Sequence, residues 1–499
     1  MTWLGRIGQL SRLQKVLSLV GLATLLASLL ATYENALLFW LVISPHKNLM
    51  LKTKIYLWLL RYILLAFGVA MLLAGFGFER GKALLAHKLG KLQTRFWLPP
   101  VLLAGFLIRV AWVVWMPALP SRDSVWYDEG AWGITQGLGY TYQGQATAFW
   151  PPGYPVFLAG VYFVFGHNYL AAKLANIVLQ LGIIVMSGSL ARRMWGEEGA
   201  FLTALIMALL PGQIVYSSLL ESMTLFTFLM LGILRLALDE NRWLSSPLLT
   251  GLLTGILALT RPTGLLFPLA LAFVYWLDGD QAREAIRKGF VAMAVMMLVI
   301  LPWTVRNYRA FGKLVPISTN GGFNLMVGNS PQSTGGRNIA PPWKVDWIMS
   351  ETNEAKRDQL ARNAALEFIR RNPKKFLRLG LNKMFYMYRS DDFGIYWNMI
   401  ETSAPVEKSV ANALHTVCNA YYSVVVMLMI LCGVLIFTRS FMLTFHRPAL
   451  LGLLLFFYFS GLQFLFFGQN RFHFPVLPGF AMYAAAALAS IVQDWRRTT

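Results

Sequence analysis

The chain has 499 residues, of which 57% are hydrophobic and only 13% charged. This composition excludes an ordinary soluble protein, because several apolar runs reach the roughly 20 residues that a helix needs to cross a bilayer. The net charge is +21, from 44 Lys and Arg against 23 Asp and Glu. The basic residues cluster between apolar runs, so membrane orientation and anionic lipids explain them, and nucleic acid is not an expected partner. Two cysteines in or near one apolar run argue against a disulfide framework or a metal cluster.

The apolar runs predict an all-α polytopic membrane protein with about twelve transmembrane helices. The first run lacks a small-residue cleavage site and is expected to be an anchor and not a signal peptide. Basic residues in short loops predict that the segments before the first and third runs are cytoplasmic. The predicted runs are 16–43, 55–77, 96–118, 169–191, 199–217, 220–238, 247–260, 263–277, 288–304, 412–437, 448–467 and 474–491.

This topology divides the chain into four parts. Residues 1–95 hold two additional N-terminal helices and a basic cytoplasmic loop, and residues 96–304 form a transmembrane core. Residues 305–411 form an external cap, and residues 412–499 the C-terminal helices. Two stretches in the external segments, 151–166 and 374–389, are expected to be interfacial helices, because they are short and the second mixes basic with apolar residues.

The first external loop, residues 119–168, carries three acids just beyond an apolar run: Asp123, Asp128 and Glu129. One interpretation is a solvated acidic loop, because exposed carboxylates are the ordinary case. The other is chemical, because a carboxylate at the membrane surface can deprotonate an acceptor hydroxyl while a lipid substrate keeps its tail in the bilayer. Neighbouring ligands would also allow a divalent cation to bind.

A series of motifs follows along the chain in a specific order. They are Asp123-x-x-x-Tyr127, "GLGYTYQG", "FWPPGYPVFLAGVYFVFG", "ARRMWGEEGA", "GILALTRPTGLLFP", "RNYRAFGKLVPISTNGGFNLMVGN" and "NRFHFPVLP". Their joint order, over roughly residues 96–491, resembles the GT-C glycosyltransferases related to protein O-mannosyltransferases and lipid A aminoarabinose transferases. The first two apolar runs are an addition to that pattern.

The resemblance implies a GT-C fold and a hexosyl- or pentosyltransferase of the bacterial cytoplasmic (inner) membrane. Such an enzyme takes a sugar from a polyprenyl-phosphate carrier, for example undecaprenyl phosphate. It transfers that sugar, with inversion, to a lipid, glycan or protein acceptor on the periplasmic face.

Asp123 matches the family's catalytic acid, while the usual Asp-Glu pair is here Asp123-Ser124. We predict Asp123 as the base, supported by Glu129 or Asp128 if the segment is helical, since residues about one turn apart share a face. Tyr127 and Tyr154, which lie in the matching motifs, are predicted to support the substrate site.

A departing polyprenyl phosphate needs cationic partners in a low-dielectric place. The candidates at the outer ends of the apolar runs are Lys173, Arg306, Arg309, Arg471 and His473. Each one alone is better explained as an interfacial side chain, and His473 is better explained as a structural group than as a metal or phosphate ligand.

Further polar residues lie near the same predicted surface. Glu221, at an outer junction of two runs, is expected to pair with Arg261 or Lys173, or to approach the acceptor. Asp391 and Asp392 either edge the site or form a solvated turn.

Two other functions fit the same hydropathy. A secondary transporter or lipid flippase would place ionisable groups near the bilayer midplane, whereas the acids here concentrate in an external loop. A ligase that uses a diphosphate-linked glycan shares the geometry and differs in its donor.

No cofactor is expected, since the histidines show no zinc spacing, although a divalent metal stays open. The sugar, the acceptor and the oligomeric state are not specified by the sequence.

Overall fold

The computed structural model describes residues 16–24, 93–336, 348, 350–401, 406–437 and 449–498. In these ranges the chain is almost entirely helical, and the strands are one antiparallel pair, Thr141–Tyr142 with Gln145–Ala146. The predicted all-α class is therefore confirmed for the described residues. The predicted run 55–77 and most of 16–43 lie outside them.

The helices after residue 93 are numbered here in chain order. They are α1 (Thr94–Trp115), α2 (Asp123–Thr135), α3 (Gly153–Phe165), α4 (Tyr169–Leu209), α5 (Pro211–Ile214), α6 (Ser222–Ala237), α7 (Pro247–Thr260), α8 (Phe267–Leu277), α9 (Ala282–Phe311), α10 (Gly321–Gly328), α11 (Glu354–Arg371), α12 (Pro373–Tyr388), α13 (Phe393–Glu401), α14 (Lys408–Phe437), α15 (Leu450–Leu465) and α16 (Leu477–Thr498). Short 3₁₀ helices occupy Val215–Ser218, Pro262–Leu266 and Asn470–His473.

Four of the described helices, α1, α4, α9 and α14, are long and apolar enough to cross a membrane. Shorter apolar helices occupy most of the other predicted runs, including α6, α7 and α15. The predicted interfacial stretches 151–166 and 374–389 are the helices α3 and α12. The total of twelve spans and the four-part division of the chain stay predictions.

Helix α4 is a hairpin of two helical arms. It is interrupted at Gly196, whose φ of 71° and ψ of −165° lie in a region that glycine adopts readily. The arms pack side by side so closely that a Cβ on Gly188 would lie 3.2 Å from the carbonyl oxygen of Ala200. The two predicted runs at 169–191 and 199–217 correspond to these arms, except that the second arm ends at Leu209 before Pro211 starts α5.

The predicted cytoplasmic ends of the helices meet one another. Arg193, near the α4 break, donates to the carbonyl oxygen of Leu238 and to the carboxylate of Asp278, which follow α6 and α8. Glu197, on the other side of the break, accepts a 2.9 Å hydrogen bond from the indole of Trp97 in α1. Loops that alternate along the chain therefore gather at one end, as expected for helices that cross a membrane in turn.

The cap region is fastened to the first external loop by Glu354, at the start of α11. Its carboxylate accepts hydrogen bonds from the hydroxyl of Thr147 at 2.7 Å, the backbone N–H of Ala148 at 2.9 Å and the hydroxyl of Thr319 at 3.0 Å. This contact holds two of the segments that were predicted to face outward against each other.

Candidate functional site

Asp123 is placed by the start of helix α2. The preceding residue, Arg122, has a φ of 52°, a conformation that costs energy for a residue with a Cβ and turns the chain sharply into the helix. Asp123 then lies in the first turn, where the helix dipole stabilises a negative charge. The residue is buried, with 8% of its surface exposed.

Two buried carboxylates share one arginine at this position. Nη1 of Arg471 donates to Oδ2 of Asp123 at 3.0 Å and lies 3.4 Å from Oε1 of Glu221. Arg471 and Glu221 are only 6% and 2% exposed. Burial disfavours the charge of Arg471, but the two carboxylates more than offset this and raise its pKa. The guanidinium therefore stays charged and holds two acids from distant segments together.

Aromatic rings complete the surroundings of Arg471. The guanidinium carbon lies 5.5, 5.2 and 5.3 Å from the ring centroids of Phe393, Trp397 and Phe472, within the range of cation–π attraction. Such rings exclude water, and charge interactions strengthen where the dielectric is low.

The predicted supporting residues lie beside this pair. Tyr127 is one helical turn after Asp123, and its hydroxyl is 3.3 Å from Oγ of Ser222. Arg261 donates to the same Oγ at 2.9 Å, so it reaches the residue next to Glu221. Burial, with the nearby carboxylate of Glu221, raises the pKa of Tyr127.

Tyr154 lies behind Tyr127, with the two ring centroids 5.2 Å apart. Its hydroxyl accepts a 3.0 Å hydrogen bond from Nδ2 of Asn176 in α4. The structure therefore brings Asp123, Glu221, Arg261, Tyr127 and Tyr154 into one region, and their functional roles stay predictions.

Asp128 and Glu129 do not lie on the face of α2 that carries Asp123. The segment is helical as expected, but these residues are five and six positions on, so the expectation of a shared face is wrong. Glu129 is exposed, and its nearest described partner is the backbone N–H of Gln143 at 3.4 Å. The second carboxylate beside Asp123 is instead Glu221.

Asp128 is buried among donors from two other helical segments. It accepts hydrogen bonds from the hydroxyls of Tyr162 at 2.6 Å and Tyr169 at 3.1 Å, and it lies 2.8 Å from Nε2 of His167. These contacts join α2 to the end of α3 and the start of α4. This environment favours a structural role, while its predicted catalytic support stays untested.

We expect Asp128→Asn to lower the stability of the protein by about 1–3 kcal/mol, because an amide nitrogen would face buried donors. The check is the thermal unfolding midpoint in detergent, with the exposed Glu129→Gln as the matched control that leaves the midpoint unchanged. A large loss of turnover with an unchanged unfolding midpoint would instead show that Asp128 takes part in catalysis.

The other predicted cations make contacts of different kinds. Lys173 is buried and donates to the carbonyl oxygen of Ala118 at 2.6 Å, close to the entry of α2. Arg306 donates to the carbonyl oxygens of Tyr140 and Thr147 at 2.7 and 2.8 Å, and so supports the first external loop. Arg309 is exposed. Of the five predicted phosphate ligands, Arg471 is the one bonded to Asp123 in the described structure.

His473 is completely buried and fixed at both ring nitrogens. Nδ1 lies 2.6 Å from the carbonyl oxygen of Met387 and must donate to it, and Nε2 lies 3.0 Å from Oδ1 of Asp391. Asp391 and Asp392 are 6% and 7% exposed, so the expectation of a solvated turn is wrong. One feature of the sequence points to their burial: the two acids stand next to each other between two stretches rich in aromatic residues.

Each described histidine pairs with an aspartate, and within the described ranges no three His, Cys, Asp or Glu side chains are grouped to hold a metal ion. The pairs are His167–Asp128, His415–Asp392 and His473–Asp391. That the enzyme works without a metal or other cofactor stays a prediction.

Glu221 gives the site a dependence on pH. Burial raises its pKa to about 7, against the pull of Arg471. The folded protein therefore keeps this proton between pH 4.5 and about 7, where the unfolded chain has lost it, so unfolding releases a proton in that window.

We expect the unfolding midpoint to fall as the pH rises from about 4.5 to about 7, and Glu221→Gln to flatten this slope, because the amide cannot titrate. Scanning fluorimetry of both proteins at several pH values measures this difference. Identical slopes for the two proteins would contradict the raised pKa.

The chain is similar to known polyprenyl-phosphate-dependent glycosyltransferases over part of its length. The family profile described as dolichyl-phosphate-mannose-protein mannosyltransferase matches residues 150–305. An undecaprenyl phosphate-alpha-4-amino-4-deoxy-L-arabinose arabinosyl transferase of Pseudomonas paraeruginosa is 32% identical over 151 residues, which are 28% of this chain and 27% of that protein. Its counterpart in Pseudomonas aeruginosa is 30% identical over 150 residues, with the same coverage of 28% and 27%. The match thus spans about a quarter of the relatives' length.

Two solved structures align with more of the chain. An oligosaccharyltransferase of Archaeoglobus fulgidus has a TM-score of 0.47 at 14% identity, covering 79% of this chain and 50% of that one. ArnT from Cupriavidus metallidurans, solved with undecaprenyl phosphate, has a TM-score of 0.39 at 14% identity, covering 81% and 77%. The resemblance to GT-C glycosyltransferases is confirmed by the family profile and the curated relatives.

Proposed function

We propose that this chain is an integral membrane glycosyltransferase that moves a sugar from a polyprenyl-phosphate donor to a lipid, glycan or protein acceptor. The reaction takes place on the external face and inverts the anomeric carbon. The observation that carries the proposal is the buried contact of Asp123 with Arg471, which sets a carboxylate base beside a cation for phosphate at 3.0 Å. The similarity of residues 150–305 to mannosyltransferases supports the choice of donor.

The two side chains have complementary tasks in the reaction. The acceptor hydroxyl oxygen attacks the anomeric carbon, its proton passes to the Asp123 carboxylate, and the sugar–phosphate bond breaks with its electron pair on the phosphate oxygen. Arg471 can donate two parallel hydrogen bonds to that phosphate. If the acceptor is itself a phosphate, no proton is removed and Asp123 positions the acceptor instead.

The location of the site fits a lipid-linked donor. Asp123, Glu221, Arg261 and Arg471 come from four segments that the charge pattern predicts to be external, and they converge in the fold. The charged residue Arg109, deep in α1, is bound to Oε1 of Gln180 at 2.6 Å and to backbone carbonyl oxygens. Its hydrogen-bonding groups are thus satisfied within the helices, which supports a transferase with its site in the predicted external segments over a transporter with a charged site at the midplane.

The test uses the purified full chain in lipid nanodiscs. It is supplied in parallel with a polyprenyl-phosphate sugar and a polyprenyl-diphosphate glycan, and the release of polyprenyl phosphate is measured with and without acceptor extract. Release from the monophosphate donor supports the proposal, and turnover of the diphosphate donor alone assigns the chain to the ligases. Movement of intact lipid between leaflets without bond cleavage would identify a flippase and overturn the proposal.

A further inference from the structure

We propose that Asp391 and Asp392 act as a clamp that positions Arg471 for the donor phosphate. The proposal rests on the role of Arg471 in the proposed function and adds two positioning residues to it. The observation behind it is that Asn470, directly before Arg471, and His473, two positions after it, are bonded to these two acids.

Asp392 holds the residue before Arg471. Its Oδ1 accepts a 2.9 Å hydrogen bond from Nδ2 of Asn470, and its Oδ2 is bonded to Asn419 at 3.1 Å and His415 at 3.0 Å, both in α14. Nδ2 of Asn470 also donates to Oγ of Ser390 at 2.9 Å. A carboxylate that accepts hydrogen bonds from three donors has little freedom to move. Asp392 therefore holds residue 470 against α14.

Asp391 holds the residue two positions after Arg471. Its Oδ1 lies 3.0 Å from Nε2 of His473, whose other nitrogen is occupied by the carbonyl oxygen of Met387. The imidazole is stacked against the ring of Tyr422, with centroids 5.0 Å apart. The Asp391 backbone N–H donates to Oδ1 of Asn419 at 2.9 Å, so this acid is anchored to α14 as well.

The same segment supplies the surface on which the guanidinium lies. Phe393 and Trp397, in the helix that starts directly after Asp392, face Arg471 at 5.5 and 5.2 Å. The short span 391–397 therefore fixes the backbone on both sides of Arg471 and the direction of its side chain. An arginine that is held in this way loses less conformational freedom when phosphate binds.

The position of Asp391 is itself tightly defined. A Cβ on Gly212 would lie 1.8 Å from Oδ2 of Asp391, so only glycine leaves room for the acid. Gly212→Ala therefore disturbs the clamp from the opposite side, without altering an acid or Arg471.

The first test measures the position of Arg471 without any lipid. Phenylglyoxal modifies accessible guanidinium groups, and its reaction at position 471 is followed by peptide mass spectrometry. We expect modification to be faster by about tenfold in Asp391→Asn, Asp392→Asn and Gly212→Ala, in line with neighbours of one hydrogen-bond network. Asp358→Asn is the matched control, since that buried acid holds Gly322 and Arg362 in the cap. Equal rates in the clamp variants, the control and the wild type would overturn the proposal.

The second test is a double-mutant cycle on the affinity for undecaprenyl phosphate. Asp391→Asn and Asp392→Asn should weaken binding by about tenfold in the wild type, and by less than about twofold when Arg471 is absent. The Arg471-free background is Arg471→Gln with Glu221→Gln, in which the remaining acid, Asp123, still has Arg261 nearby. Equal losses in both backgrounds would show a general structural role and overturn the clamp. If the wild type binds no such lipid, the proposed function fails, and the labelling experiment alone decides the clamp.

Discussion

Asp123→Asn is expected to reduce the rate of sugar transfer by about 10²–10⁴-fold, the contribution of a positioned general base. The amide keeps the size of the side chain but cannot take the acceptor proton. Arg471 keeps Glu221 as a partner in this variant, so the donor phosphate should still bind. The loss should therefore appear in kcat, measured as polyprenyl phosphate release at saturating donor.

Glu284→Gln is a suitable control for this experiment. Glu284 is part of an exposed ion pair with Arg287 near the start of α9, away from the external segments, and such pairs contribute little to stability. Glu284→Gln should have the unfolding midpoint of the wild type, whereas Asp123→Asn should unfold at a lower temperature because it breaks a buried charge pair, so its transfer rate is measured well below that midpoint. A transfer rate for Asp123→Asn within tenfold of the wild type would remove this carboxylate from the proton transfer, even if the donor were confirmed.

The sequence predicts best those features that depend only on residues close to one another along the chain. The two arms of α4 follow from two apolar runs separated by Arg192 and Arg193, because basic residues rarely lie inside a membrane. The sequence leaves open whether the loop around Asp123 is helical, and the structure has a helix there. Local hydropathy and charge are sufficient to predict the two arms, but they do not decide whether the segment around Asp123 is helical.

The pairing of side chains between distant segments could not be predicted in the same way. Glu221 was expected to pair with Arg261 or Lys173, but the arginine within 3.4 Å of it is Arg471, which comes from the last external loop. Which cation meets which acid depends on how α6 and the 3₁₀ turn at Asn470–His473 pack, and that packing leaves no periodic pattern. For the same reason the sequence does not show that Asp391 and Asp392 are buried.

Arg471→Gln is expected to have the second large effect, because it removes the phosphate ligand and leaves two buried carboxylates without their shared cation. Breaking a buried charge pair from one side costs about 3–5 kcal/mol, so the unfolding midpoint should fall clearly. Affinity for undecaprenyl phosphate should fall at the same time. Both are measured on the purified protein in detergent, by scanning fluorimetry and by lipid titration.

A companion change separates the two consequences of that substitution. Arg471→Gln combined with Glu221→Gln removes one carboxylate along with the cation, so the stability should return toward that of the wild type. Lipid binding and transfer should stay low, because no guanidinium is restored at the phosphate position. If the double variant regained transfer together with stability, Arg471 would be a structural ion-pair partner, and the cation for the leaving phosphate would have to be sought among Lys173, Arg261 and Arg306.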